Sequence, residues 1–220
     1  MAQQDRALRT RAALIASAAE VFDQHGYPLA SLATISSRAG VSNGALHFHF
    51  PSKASLADAV GTSAGHRLAK ITGRNAGPLP GGSLQLLIDA THELVRGFGD
   101  DPVLRVGFRV ARSVQASSPP AAGPRRHWKT WVEQTLHQAA GEGTVAPGVP
   151  AQAVAGTVVA TTLGLGALGG RNGSWRSPGT VTRLWELLLP GLVTGGVRGK
   201  LVTTGTTGTT GTTGTTAGHR

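Results

Sequence analysis

The sequence predicts an all-α fold, and three observations predict it. Apolar residues recur at intervals of three and four in successive segments, as on one face of a helix. Serine, aspartate and glycine stand where helices usually begin and end. No window alternates apolar and polar residues for long enough to indicate a strand. We therefore expect a group of short N-terminal helices followed by a larger helical region.

The first helix carries one apolar stripe and ends at a glycine. The stripe comprises Leu8, Ala12, Ile15, Ala19 and Phe22. The segment His25-Gly26-Tyr27-Pro28 stops the helix, because glycine readily takes the left-handed conformation that follows a helix end.

Three further N-terminal helices are predicted from their caps. Ser31 can cap a short helix that Gly40 ends, and Ser42 can cap a third helix that runs to about His49. Ser52 can cap a fourth helix after the proline that precedes it.

The larger region follows a Gly/Pro-rich interruption at 73–82. Ser83 is expected to cap a helix that ends at Phe98. The pairs Asp101-Pro102 and Ser177-Pro178 each place a capping side chain before a proline at the first helical position.

The last zone is a tandem Thr-Thr-Gly repeat over residues 203–216. It has few side chains to bury, so we expect it to be disordered, either as a flexible arm or as a neutral repeat expansion. The predicted domains are 1–52, 53–200 and this tail, 201–220.

Composition narrows the function classes. The chain has 220 residues, 21 Lys and Arg against 11 Asp and Glu, and a net charge of +10, which favours polyanionic partners. The absence of cysteine excludes disulfides, thiolate zinc sites and cysteine nucleophiles. The polar N-terminus has no signal-peptide core, and no apolar run approaches eighteen uninterrupted residues. We expect a soluble cytoplasmic protein that does not bind a membrane.

The most informative stretch is residues 31–53. It reads as a short helix, a tight turn and a second helix of about two turns, which is helix-turn-helix geometry. In that geometry the second helix enters the major groove of DNA. The small residues at 42–45 allow a close approach to base edges, and Lys53 can reach a phosphate.

The first third of the chain resembles the N-terminal domain of TetR-family transcriptional repressors. The matching residues are Thr10-Arg11, Ile15, Ala18-Ala19, Phe22, Gly26-Tyr27, Ser31-Leu32, Ile35, Ala39-Gly40-Val41-Ser42 and the run from Gly44 to Lys53. The resemblance implies a three-helix DNA-binding domain joined to a helical ligand-binding and dimerisation domain. Two positions depart from the family pattern, because Asn43 stands where lysine is frequent and His47 where tyrosine is frequent.

The expected DNA-contacting residues follow from this pattern, each with a plainer alternative. They are Arg11, Ser31, Ser42, Asn43, Gly44, Ala45, His47, His49 and Lys53. Asn43 can read adenine or simply start a helix, and Ser31 can be only a cap. Arg11, Lys53 and the two histidines can contact phosphate or remain ordinary surface or packing residues. His47 and His49 point about 200° apart on a helix, so they cannot chelate one metal ion.

The second region resembles the γ-butyrolactone-receptor branch of this family in actinobacteria. The resemblance rests on Asp101-Pro102-Val103-Leu104-Arg105, Arg109, Trp128, Leu184-Trp185 and Pro190-Gly191-Leu192-Val193. It implies a ligand pocket lined by a tryptophan. The expected lining residues are Trp128, Leu87, Phe108, Val110 and Leu163. A packed core role for Trp128 and a lining role for Trp131 are the alternatives, and Trp185 is expected at a helix interface.

A two-fold dimer interface is predicted at the small-residue segment 161–170 and the helix at 181–192. The alternative is that these segments pack closely against other helices of the same chain. The hypothesis is a homodimeric repressor on a pseudo-palindromic operator, released by a γ-butyrolactone, butenolide or furan. A pseudo-receptor for an antibiotic or its precursor is the nearer alternative. A small helical enzyme is the remote one, because the sequence has no nucleophile–base motif, no metal-ligand pair and no Gly-rich phosphate loop in context. No cofactor is expected.

Overall fold

A computed structural model of the chain describes residues 2–73, 81–110, 123–169 and 177–206. Within these ranges the chain forms helices, and the single strand-like pairing there is an isolated bridge between Val145 and Val193. The helices are α1 (Ala2–Leu29), α2 (Leu32–Arg38), α3 (Asn43–His49), α4 (Lys53–Thr72), α5 (Gly82–Asp100), α6 (Pro102–Val110), α7 (Pro124–Gly141), α8 (Ala151–Leu168), α9 (Pro178–Leu192) and α10 (Gly195–Arg198). The predicted all-α class is confirmed.

Helix α1 breaks at the predicted glycine. The backbone of Gly26 has φ 76° and ψ 157°, which is not helical, and a last short turn follows it. The apolar stripe is correct from Ile15 onward, but Leu8 is 60 % exposed and Ala12 is exposed too. The first turns of α1 therefore lie outside the core, and the early part of the predicted stripe is wrong.

Serine caps set the starts of α2, α3 and α4 as predicted. Ser31 Oγ accepts a hydrogen bond from the amide of Thr34 at 3.0 Å. Ser42 Oγ accepts one from Ala45 at 3.1 Å, and Ser52 shares a reciprocal capping box with Ser55. These bonds span three residues, so the local sequence is sufficient to predict them.

The cap of α5 comes instead from a distant residue, and the predicted Ser83 cap is wrong. The helix begins at Gly82, two residues before the predicted first residue, Leu84. The Glu142 carboxylate accepts hydrogen bonds from the Ser83 amide at 2.9 Å and from its hydroxyl at 2.6 Å. Ser177 does precede Pro178 at the start of α9, but its side chain makes no capping bond.

Helix α6 joins the N-terminal helices to the larger region. Asp101 caps it as predicted, accepting bonds from the amides of Val103 at 2.9 Å and Leu104 at 3.3 Å. Its backbone lies so close to α4 that a Cβ on Gly107 would stand 2.2 Å from the Cβ of Ala64.

Two arginines of α6 also bind α1. Arg105 donates to Asp23 of α1 at 2.6 and 2.9 Å, and Arg109 pairs with the same carboxylate. A displacement of α6 therefore acts on both α1 and α4.

The core of the larger region surrounds α5, which packs against α6, α7, α8 and α9. Two tryptophans close this core without any exposed surface. Trp128 of α7 donates its indole N–H to Thr162 of α8 at 2.9 Å, and Trp185 of α9 donates to Thr91 of α5 at 2.8 Å. The interface position predicted for Trp185 is confirmed.

Helix α8 is apolar but little buried. It is the one helix of the described ranges that is long and apolar enough to span a membrane, judged by length and composition alone. Only 22 % of its residues are buried within the chain. Leu168 at its end and Leu187 on α9 are 62 % and 81 % exposed. The chain alone leaves this apolar surface uncovered.

The prediction of disorder is wrong for the start of the Thr-Thr-Gly repeat. Thr203–Thr206 is held against α5 by hydrogen bonds to Asp89 and His92. The remainder of the repeat lies outside the described residues.

Candidate nucleic-acid interface and apolar core

The turn between α2 and α3 displays one edge of α3 to solvent. Leu46 has no exposed surface and Phe50 is 3 % exposed, so both anchor α3 to the core beneath it. Ser42, Asn43 and Gly44 are exposed at the start of the helix, and His47 is exposed one turn later. Ala45 is half-buried. The predicted base-facing edge is therefore accessible.

Phe48 is an exposed aromatic residue of α3 that does not belong to the predicted DNA-contacting set. Its side chain is 83 % exposed and its ring meets that of His49 edge to face, with centroids 5.3 Å apart. Spacing is the signal that could have identified it. Leu46 and Phe50 are four residues apart and share one face of the helix, whereas Phe48 lies about 200° from each.

Asn43 is held by the helix before it. The Ser36 hydroxyl lies 2.8 Å from the side-chain amide oxygen of Asn43 and 3.0 Å from the carbonyl oxygen of Ala33. Ser36 is buried, so this contact fixes the start of α3 against α2. A bidentate contact to adenine uses both polar atoms of an asparagine amide. The Asn43 oxygen has two lone pairs, so it can accept a hydrogen bond from adenine while it keeps the bond from Ser36.

Lys53 is engaged inside the domain. Its ammonium donates to the carbonyl oxygens of Tyr27 at 3.0 Å, Pro28 at 3.1 Å and Ala30 at 3.1 Å, and it lies 4.8 Å from the centroid of the Tyr27 ring. An ammonium group has three N–H donors, and these bonds use all three. The predicted phosphate contact requires Lys53 to leave this site.

The other predicted contacts lie outside this edge, because Arg11 is on α1, Ser31 caps α2, and His49 points about 200° away from His47 on α3. Arg11 stands over the Phe50 ring, 5.2 Å from its centroid, which places a positive charge beside the end of α3. His49 is half-buried, and Ser31 is exposed while it caps α2. Residues 31–53 contain no acidic side chain, so nothing in this segment opposes the approach of a phosphate backbone.

The predicted ligand residues lie on helices that pack together. Leu87 of α5, Phe108 of α6 and Trp128 of α7 are buried, and Leu163 of α8 is half-buried. The side chain of Val110 lies outside the described residues. Phe108 meets Phe98 edge to face at 5.0 Å, and the Trp128 bond to Thr162 brings α7 beside Leu163.

The indole of Trp128 is a fully buried group of this core with one polar N–H. Trp131 stacks on it with centroids 5.3 Å apart and an interplanar angle of 20°. The indole N–H of Trp128 already donates to the hydroxyl of Thr162, and that hydroxyl lies 2.8 Å from the carbonyl oxygen of Val158. A ligand carbonyl can accept the indole N–H only by displacing the Thr162 hydroxyl.

His127 extends this core toward the N-terminal helices. Its Nε2 lies 2.9 Å from the hydroxyl of Thr72, in the last turn of α4. His127, which precedes Trp128 in α7, therefore contacts α4, the helix that follows α3 in the chain. No group of three or more His, Cys, Asp or Glu in the described ranges is arranged to hold a metal ion.

Comparison with known proteins agrees with both halves of this description. Residues 14–60 match the family model described as bacterial regulatory proteins, tetR family. Residues 81–194 match the model described as the tetracyclin repressor-like C-terminal domain.

Individual relatives match over most of the chain. The A-factor receptor protein of Streptomyces griseus is 29 % identical over 201 residues, which cover 90 % of this chain and 68 % of that protein. A solved γ-butyrolactone receptor, described as ArpA-like, is 31 % identical with a TM-score of 0.74 and covers 90 % of this chain and 96 % of its own. CprB of Streptomyces coelicolor, solved in complex with its operator sequence, is 30 % identical with a TM-score of 0.73, covering 88 % and 93 %.

Proposed function

Because the chain belongs to the tetR family of bacterial regulatory proteins, we propose that it is a homodimeric transcriptional repressor of the γ-butyrolactone-receptor branch. It binds a pseudo-palindromic operator and leaves it when a γ-butyrolactone, butenolide or furan binds its apolar core. The observation that carries this proposal is the joining, in one chain, of an exposed helix-turn-helix edge to a tryptophan-containing core. It acts in the cytoplasm on DNA, as a regulator without catalytic activity.

In this proposal α3 enters the major groove. Ser42, Asn43, Gly44 and Ala45 approach base edges, because small side chains bring the helix close to them. His47, His49, Arg11 and Ser31 lie toward the phosphates and position the helix. Phe48 joins them as an apolar contact for a thymine methyl group, a contact that phenylalanine can make in the major groove.

The ligand site lies among α5, α6, α7 and α8. Leu87, Phe108 and Leu163 provide apolar contact, and Trp128 provides a flat face with one hydrogen-bond donor. A small lactone with an acyl tail needs an apolar site with few fixed polar groups. Val110 completes the proposed set on α6.

The dimer interface comprises α8 and α9. The apolar surface of α8 and the exposed Leu187 support this placement, because an uncovered apolar face of this extent is typical of an interface. A two-fold pair places two α3 helices in successive major grooves, about 34–36 Å apart.

Ligand binding is coupled to the operator through α6 and α4. Helix α6 is bound to α1 through Asp23 and is in backbone contact with α4. The His127–Thr72 contact supplies a second path from the ligand core to α4. By linkage, operator binding must weaken ligand binding by the same factor by which ligand weakens operator binding.

The test is release of an operator selected from random duplexes. Added γ-butyrolactone, butenolide or furan should free the DNA from the unmodified protein. Trp128→Phe keeps most of the buried volume but removes the indole donor, so operator affinity should persist while release is reduced tenfold or more, the scale of one lost hydrogen bond. Trp185→Phe is the matched control, with release unchanged. Release only by an antibiotic would favour a pseudo-receptor, and no selected duplex at all would contradict repression.

A further inference from the structure

The first Thr-Thr-Gly unit is bound in a polar groove along α5. The groove, called the repeat groove here, is formed by Gln85, Asp89 and His92, which lie on one face of the helix at a spacing of four and three residues. These side chains are 0 %, 7 % and 4 % exposed. Three buried polar residues in line are unusual in the core helix of a domain, because each requires a hydrogen-bond partner. The chain segment 201–206 supplies those partners.

Most of these contacts involve the main chain of the bound segment. Gln85 pairs both of its amide atoms with the peptide of Val202, accepting from its N–H at 2.8 Å and donating to its carbonyl at 3.2 Å. His92 donates from Nε2 to the carbonyl of Thr203 at 2.8 Å. Asp89 accepts from the amide of Thr206 at 2.8 Å and from its hydroxyl. The groove thus reads a peptide backbone and one hydroxyl.

Glycine is required at one position of the bound segment. Gly205 is buried at φ 78°, a conformation that other residues rarely adopt. A Cβ there would stand 3.3 Å from the His92 ring and 3.5 Å from a carboxylate oxygen of Asp89. The recognised feature is therefore a Gly-Thr step.

The sequence presents this step again at the same interval. Gly-Thr occurs at 205–206 and recurs at 208–209, 211–212 and 214–215. A shift of three residues places equivalent backbone groups, a glycine and a threonine hydroxyl opposite the same side chains of α5. Two positions change residue type: Leu201, which packs beside Gly81, would be replaced by Thr204, and Val202, which bonds to Gln85 through its backbone, by Gly205.

We propose that the repeat groove is a binding site for Gly-Thr peptide steps, and that the tandem repeat of the same chain can fill it in successive registers. Different Gly-Thr steps of the C-terminal repeat can then occupy the same site on α5 in turn. This inference does not depend on the proposed function, since it concerns binding of the chain to itself.

The test compares four proteins: the full chain, the chain ended after Thr206, and each of these with Gly205→Val. The Hε1 resonance of His92, assigned with His92→Gln, reports whether the groove is filled. Sliding predicts a filled groove in the full chain with Gly205→Val and an empty groove in the shortened chain with the same change. If the full chain with Gly205→Val also loses the filled signal, the groove accepts one register and the proposal is wrong.

Two controls complete the experiment. Changing all four repeat glycines, 205, 208, 211 and 214, to valine in the full chain should empty the groove, and a filled signal would contradict recognition of glycine. Added acetyl-TTGTTGTT-amide should restore the filled signal of the shortened Gly205→Val protein, whereas acetyl-TTVTTVTT-amide should not. Filling that rises with protein concentration would place the segment of a second copy in the groove and overturn the assignment to the same chain.

Discussion

The ammonium group of Lys53 holds the end of α1 against the start of α4. Its three carbonyl partners, at Tyr27, Pro28 and Ala30, lie around the break at Gly26, where the helical hydrogen-bond pattern is interrupted. Without this cation the carbonyls of the α1–α2 connection lose a charged donor. Lys53 is thus a residue whose role in the fold competes with a role at DNA.

Lys53→Ala should lower the free energy of unfolding by about 1–3 kcal/mol, the scale of lost hydrogen bonds to a charged group. Urea unfolding measures this, with the exposed Lys70→Ala as the control. If Lys53 also reaches a phosphate, the salt dependence of DNA binding should fall by about one unit of slope. An unchanged slope with reduced stability would assign Lys53 to the fold alone.

Phe48→Ala should weaken operator binding and reduce the preference for thymine at the contacted position. The residue is 83 % exposed, so its removal should change stability by less than about 0.5 kcal/mol. Binding to operator variants with thymine replaced by uracil, which lacks the methyl group, measures the contact. Equal loss on both duplexes would show that the ring does not contact a thymine methyl.

At the scale of the helices, caps formed by neighbouring residues could be predicted from the sequence, whereas caps formed by distant residues could not. Ser31, Ser42 and Ser52 bond to amides three residues away, so their helices could be placed from the sequence alone. The cap of α5 comes from Glu142, 59 residues from Ser83, and Gln85 bonds to Val202, 117 residues away. Such contacts form only when the chain has folded, so no local sequence pattern predicts them.

The Glu142 cap makes the stability of α5 depend on pH. Burial raises the pKa of this carboxyl, but hydrogen bonds from the Ser83 hydroxyl, the Ser83 amide and Gln138 outweigh it and lower the pKa below 4.5. A carboxyl with a lowered pKa in the folded state stabilises the fold above its unfolded pKa. That contribution is lost as the pH falls through the lower, folded value.

Glu142→Gln should therefore lower the thermal midpoint at pH 7 and flatten its decline below about pH 4.5. Thermal unfolding between pH 3 and 7 measures both effects. Glu186→Gln, at an exposed position on α9, is the control and should leave the curve unchanged. A Glu142→Gln curve parallel to that of the unmodified protein would show that the cap does not contribute.

At the scale of the whole molecule, the described chain is a DNA-binding half and an apolar half joined through α4 and α6. The sequence indicated both halves, because each carries its own pattern of caps and apolar residues. It placed the small-residue segment at 161–170 on a dimer surface without distinguishing that from close packing within the chain. Close packing within the chain does occur in this segment, because Thr162 is bonded to Trp128 and a Cβ on Gly166 would stand 2.7 Å from the Phe98 ring. The rest of α8 is little buried, which supports the dimer surface for its outer face.

Leu187→Lys should keep the chain folded and abolish the dimer. The side chain is 81 % exposed in the single chain, whereas a lysine in a covered apolar interface would be desolvated without a partner. Sedimentation gives the oligomeric state, and operator binding should fall because the two half-sites are no longer joined. Leu29→Lys, at an equally exposed leucine on α1, is the control for sedimentation. A dimer that persists in Leu187→Lys would exclude this part of α9 from the interface.

The contact between Gly107 and Ala64 has a mechanical consequence. Where two helices are separated by long side chains, those side chains can change rotamer and absorb a small shift of one helix. Here only the methyl group of Ala64 lies between the two backbones beside Gly107, and a methyl group has no alternative rotamer that could absorb a shift of either helix. Helices α4 and α6 must therefore move together at this point. A methyl group added at position 107 would force the two helices apart. It would therefore change how far α4 moves for a given movement of α6.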